Sequence, residues 1–124
     1  MRCLRVLPFV VVMAVILFAG LKPEPVPQLF AQQDKLHHVL GFAALAFTLH
    51  LAAPRLQFVW ILLISVAIAS MVEFGQGFSL NRTASIADMQ ANFGGVLLGW
   101  VFSILVDALV VIKSTHKDLL DLDK

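Results

Sequence analysis

Residues 58–74 read FVWILLISVAIASMVEF, an apolar run broken only by Ser65 and Ser70 until a lone carboxylate, Glu73, near its end. A helix of about 20 such residues crosses the roughly 30 Å hydrocarbon core of a bilayer, so this stretch predicts a transmembrane segment. The whole chain has the same character. Its 124 residues are 60% hydrophobic and 14% charged, with mean hydropathy +0.90, too apolar to dress a soluble surface. A net charge of +1 and the lack of a basic stripe interleaved with aromatics argue against a nucleic-acid partner. The single Cys3 forms no intrachain disulfide and fits no metal spacing.

Outward from this run, further apolar segments appear on both sides. Residues 6–21 follow Arg2 and Arg5 and are just long enough to span. Their apolar length exceeds a signal-peptide core, and Leu17-Phe18-Ala19 is a poor cleavage site, which favours an uncleaved helix. Pro8 falls in the first turns, where a missing amide costs least. The alternating prolines Pro23, Pro25 and Pro27 forbid helix and favour an extended connection. A second span is expected over about 36–53, stopped by Pro54-Arg55, and the short link to residue 58 implies an antiparallel hairpin. Gly75 and Gly77 are expected to end the third span. A polar loop over 78–84 then leads to a fourth span over about 86–112 and a polar tail over 113–124. The expected fold is all-α, a single polytopic membrane bundle of four transmembrane helices covering 1–124.

Lys and Arg in short flanks resist translocation and so set orientation. With both ends on one side, that side holds six (Arg2, Arg5, Arg55, Lys113, Lys117, Lys124) and the other three (Lys22, Lys35, Arg82). This places both termini in the cytoplasm and the 78–84 loop outside.

Ionisable groups at membrane depth are costly, and here most of them gather at one end of the spans. The second span begins with Asp34, Lys35, His37 and His38; the third ends with Glu73 and Gln76; Arg82, Ser85, Asp88 and Asn92 introduce the fourth. Asp34 and His38, like Asp88 and Asn92, are spaced i,i+4, and Glu73 and Gln76 i,i+3, so each helix carries one polar stripe. Bundling turns such stripes inward and forms a small polar pocket. Local roles compete with this one: Asp34 suits a helix N-cap, and Ser85-x-x-Asp88 matches a capping box. Glu73 is harder to assign locally, because the helix macrodipole opposes a carboxylate at a C-terminus. It calls for a cation such as Arg82, Lys35 or a protonated His38. His37 and His38 offer ligands beside Glu73 and Asp88, yet no H-x-x-x-H or H-x-x-E-H spacing supports a metal, and no cofactor is expected. His50 and Asp107 suit a structural pair with each other or with Arg55. Gly95 and Gly99 form a small-x-x-x-small pattern for close helix approach, within the bundle or in a homodimer. Asn81-Arg82-Thr83 matches a glycosylation sequon too short to carry weight.

Taken in order, Asp34-Lys35-x-x-His38-x-x-x-Phe42, Glu73-x-x-Gln76 and Arg82-x-x-Ser85-x-x-Asp88-x-x-x-Asn92-x-x-Gly95 resemble the VanZ-like family of small bacterial membrane proteins. The match is strongest over 34–99. Phe42 stands where that family often has tyrosine, and Leu80-Asn81 where it often has proline or glycine. The resemblance implies a multi-pass protein of the inner membrane and cell envelope, in a family named for a protein associated with teicoplanin resistance. It carries the family's polar positions onto Asp34, Lys35, His38, Glu73, Gln76, Arg82, Asp88 and Asn92.

Two functions are expected to compete. In one, these residues bind the headgroup of a membrane lipid or amphiphile; in the other, His38, Glu73 or Asp88 serves as acid or base on a lipid-linked envelope substrate. With no nucleophile elbow, P-loop or zinc-protease motif, an enzyme would need unconventional acid-base chemistry.

Overall fold

The computed structural model describes residues 2–22, 27, 29–78 and 85–122, the side chains of residues 2, 3 and 122 excepted. Its elements are α1 (Arg2–Leu21), α2 (Gln33–Ala52), α3 (Phe58–Gln76) and α4 (Ile86–Leu122), with no strand among the described residues. Pairings fix their directions. His38 lies opposite Asn92 and His50 opposite Asp107, so α2 and α4 run parallel. The end of α1 meets the end of α3, where the Gln76 side chain donates to the Gly20 carbonyl at 2.9 Å. The bundle therefore runs up, down, up, down.

α1, α3 and α4 are each long and apolar enough to cross a membrane. α2 has the length, at 20 residues, but falls short in hydropathy, because Asp34, Lys35, His37, His38, Thr48 and His50 all lie on it. The expectation of four spanning helices thus holds, by length and composition, for three. The physical reason lies in α2's position: it packs most heavily on α4, then on α1, and also touches α3. Phe42, Leu45, Ala46 and Leu49 of α2 make up much of the core, joined by Ile61, Ala69 and Val96. A helix enclosed by its neighbours offers little surface to lipid and tolerates polar groups.

Burial is inverted relative to a soluble domain. Thr48, His50, Ser65, Glu73, Gln76, Asp88, Asn92 and Ser103 are buried, while Phe18, Phe74, Phe102 and most large residues of α4 are exposed. Hydrocarbon as the surrounding solvent favours that arrangement. On α4, the residues Asp88, Asn92, Gly95, Gly99, Ser103 and Asp107 form one small and polar stripe. Gly95 and Gly99 are where its backbone meets that of α2: a Cβ at Gly95 would collide with the Val39 carbonyl oxygen, and one at Gly99 with that of Ala43. The small-x-x-x-small pattern is thus occupied within the bundle.

Several boundaries differ from the sequence reading. α1 starts at Arg2, which moves Pro8 from the first turn into the helix interior. α2 starts at Gln33 behind a left-handed Gln32 (φ 68°), so Asp34 lies in the first turn and does not cap it. Gly75 lies inside α3, where a Cβ would strike the Leu21 side chain, and Gly77 follows with an ordinary right-handed φ of −62°. Gly75 makes room for α1, and neither glycine supplies a left-handed cap. The polar tail is helical through Leu122, since nothing after residue 112 breaks a helix. At 37 residues, α4 is roughly 55 Å long and overshoots a hydrocarbon core.

At the bundle's other end, His50 Nε2 and Asp107 Oδ2 are 2.7 Å apart, so of the two expected partners His50 takes Asp107. The Asp107 side chain is 57% exposed, which limits the pair's contribution. Asp107→Asn is expected to lower stability by about 1 kcal/mol or less, read from unfolding in detergent. A loss several times larger would show that the pair holds α2 and α4 together.

Candidate functional site

The N-terminal ends of α2 and α4 and the C-terminal end of α3 converge, and the polar residues gather there. Asp34 and Asp88 each occupy the first turn of a helix, where the macrodipole favours a negative charge. Glu73 belongs to the last turn of α3, where its own helix disfavours it. The tertiary structure answers this through the start of α4: the Ser85 backbone N–H donates to Glu73 Oε2 at 3.2 Å. Glu73 thereby does for α4 what a capping side chain does for its own helix.

This contact also changes the role of Asp88. Ser85 does hold the N-cap position, its carbonyl accepting from the amides of Asp88 and Met89 at 3.1 Å each. A capping box would send the Asp88 carboxylate back to the Ser85 amide. Glu73 takes that amide, so Asp88, only 8% exposed, faces the bundle instead of closing a local loop.

Between the two aspartates stands His38. Its Nδ1 lies 2.8 Å from Asn92 Oδ1. A carboxamide oxygen only accepts, so Nδ1 carries the proton and a neutral ring presents its lone pair at Nε2. Nε2 faces Asp34 Oδ1 at 4.0 Å, too far for a hydrogen bond. Atoms of Asp34, His38 and Asp88 all come within 4.8 Å of one another. Glu73 lies within electrostatic reach of all three. Its Oε1 and Asn92 Nδ2 are buried without a hydrogen-bond partner among the described residues.

The other expected site residues are placed as follows. Gln76 borders the site but donates to the end of α1, a structural tie. Lys35 is half-buried on the first turn of α2 and forms no ion pair with Glu73 among the described residues. Arg82 lies outside the described residues, as do Leu80 and the Asn81-Arg82-Thr83 sequon.

Three cavities lined by described residues border the cluster. One of about 350 Å³ reaches Asp34, His37, His38 and Gln76 between α1, α2 and α3. A second of about 440 Å³ borders Glu73 and Met89. A third, about 360 Å³ and almost wholly apolar, runs from Asn92 past Phe42, Ala69 and Val96 to Ser65. Ser65 was not singled out from the sequence; it is fully buried, and its Oγ has no partner among the described residues. Its one signal was a hydroxyl in mid-span, eight residues before Glu73, on the same helix face.

Such a bundle, with carboxylates, imidazole and carboxamide inside and hydrocarbon outside, defines a small helical protein of membrane character. The family described as VanZ/LLP1 matches residues 4–107, and the chain belongs to it. No curated protein and no solved structure matches the chain. The family match stops at Asp107, where α4 leaves the other helices and its residues become exposed.

Proposed function

We propose that this is an integral protein of the bacterial inner membrane whose polar site receives the headgroup of a membrane lipid or amphiphile and alters susceptibility to teicoplanin-type glycopeptides. All four helices cross, α2 shielded by the other three. Both termini are cytoplasmic, and the site lies at the outer leaflet. The observation that carries this reading is the grouping of Asp34, His38 and Asp88, tied through His38 to Asn92, which itself lines an apolar cavity between α3 and α4. A polar headgroup at the cluster leaves an acyl or prenyl chain free to follow the apolar cavity outward. Carboxylates and a carboxamide make the site rich in hydrogen-bond acceptors, which suits headgroups bearing hydroxyl or amine donors.

A second reading treats the same residues as an enzyme's acid and base. It is favoured by His38, whose ring is oriented at Nδ1 by Asn92 and open at Nε2, the arrangement a general base requires. Alanine at His38, Glu73, Arg82 or Asp88, each confirmed at normal level in the membrane, is expected to abolish complementation of a deletion strain for glycopeptide susceptibility. Altered susceptibility with unchanged extracted lipids supports binding, and a residue-dependent change in a lipid species supports catalysis. Full complementation by all four variants would make the cluster structural.

Orientation is tested by reporter fusions. Alkaline phosphatase joined after Lys124 is expected to be inactive and, inserted within 78–84, active. The reverse pattern would invert the protein and put the site at the cytoplasmic leaflet.

A further inference from the structure

We infer that Asp34, His38 and Asp88 form a binding site for a divalent transition-metal ion, with Zn²⁺ the best-matched probe. The inference stands apart from the headgroup reading, since the ion's binding is measured with metal alone.

Ligand type comes first. One imidazole nitrogen and two carboxylates suit Zn²⁺ or a neighbouring first-row ion better than Ca²⁺ or Mg²⁺, which take oxygen alone. The geometry agrees. Ligands each about 2.1 Å from a tetrahedral ion stand roughly 3.4 Å apart. His38 Nε2 and Asp34 Oδ1, at 4.0 Å, are too distant to bond each other and close enough to share an ion after a small side-chain rotation. The Asp88 carboxylate completes the group within 4.8 Å.

The surroundings of His38 supply an independent argument. Metal-bound histidine almost always donates its remote N–H to an oxygen that fixes ring and tautomer. Asn92 Oδ1 fills that role at 2.8 Å from Nδ1, and leaves Nε2 as the ligand atom. Asn92 is itself only 2% exposed, so the orienting group is rigid.

Glu73 points to the same conclusion from another helix. It is 6% exposed, its Oε1 has no partner among the described residues, and it lies within electrostatic reach of Asp34, His38 and Asp88. Its Oε2 is engaged by the Ser85 amide, so the other oxygen is available to an ion or to a water on it. Carboxylates concentrated in a site of low dielectric want a compensating cation. The sequence offered His37 and His38 as ligands beside Glu73 and Asp88 without a spacing to support them, because the ligands proposed here come from two helices, with 50 positions between His38 and Asp88.

The test uses the full chain in detergent micelles, stripped with chelator and titrated with Zn²⁺ against a competing dye, and with Co²⁺ for its absorption spectrum. One ion per chain is expected. His38→Gln and Asp88→Asn should each weaken it at least about 100-fold, and Asn92→Ala by roughly 10- to 100-fold, the usual effect of losing an orienting partner. Asp107→Asn, at the bundle's other end, should leave it unchanged. Asp34→Asn alters a carboxylate 44% exposed and keeps the test decisive should the buried variants fail to fold. No Zn²⁺ binding by the parent chain, or equal binding in the Asp34→Asn, His38→Gln and Asp88→Asn variants, would overturn the site.

Discussion

Gly99→Ala is expected to lower the stability of the bundle by about 2 kcal/mol or more, while Gly94→Ala leaves it unchanged or raises it by up to about 1 kcal/mol. The two substitutions are chemically identical and lie on one helix. In a helix interior, alanine is intrinsically better than glycine, so propensity predicts a gain at both. Packing separates them. A Cβ at Gly94 meets nothing within 4 Å, whereas one at Gly99 runs into the Ala43 carbonyl group. Backbone cannot rotate aside as a flexible side chain does, so α2 and α4 must move apart along their most extensive contact. Gly95, whose Cβ would meet the Val39 carbonyl oxygen, is expected to behave like Gly99. Equilibrium unfolding in mixed micelles, with monodispersity by size exclusion as a control, gives the measurement. Equal stability of the Gly94 and Gly99 variants would mean that α2 and α4 are not held at backbone contact.

The second large effect is functional. Glu73→Gln is expected to abolish complementation of a deletion strain while changing stability by no more than about 1 kcal/mol, since it keeps the side chain's length and an oxygen for the Ser85 amide. Glu73→Ala should lose the same function and also about 1–3 kcal/mol, because that amide then lacks its acceptor. The pair of variants separates two roles of one side chain. Oε2 serves the start of α4, and any acceptor of the right length can do that. Oε1 is buried without a partner among the described residues, which costs free energy unless that oxygen is used by a ligand. A Glu73→Gln protein that complements fully would reduce Glu73 to a cap for α4.

The contrast between Glu73 and Asp88 shows where the sequence stopped being legible. From the sequence, Ser85-x-x-Asp88 suited a capping box as well as Asp88 suited the pocket, and Glu73 was an acid at odds with its own helix. Both readings were locally sound. The fold exchanges the roles: Glu73 reaches the Ser85 amide from another helix and releases Asp88 toward His38. For Asp34 the sequence left a cap and a place beside His38 both open, and in the fold it is a first-turn acid near His38.

By itself the sequence determined the apolar segments, their breaks after Leu21 and at Pro54, and the crowding of ionisable residues at matching helix ends. These are properties of single segments, set by local hydrogen bonding and by the cost of polar groups in hydrocarbon. The tertiary structure alone decided that α2 lies enclosed by its neighbours, that Gly95 and Gly99 face α2, that Asn92 fixes the His38 ring, and that Glu73 serves α4. Each depends on the rotation and axial register of one helix against another. Periodicity within a helix says which residues share a face, but the facing partner is set by packing among all four helices at once.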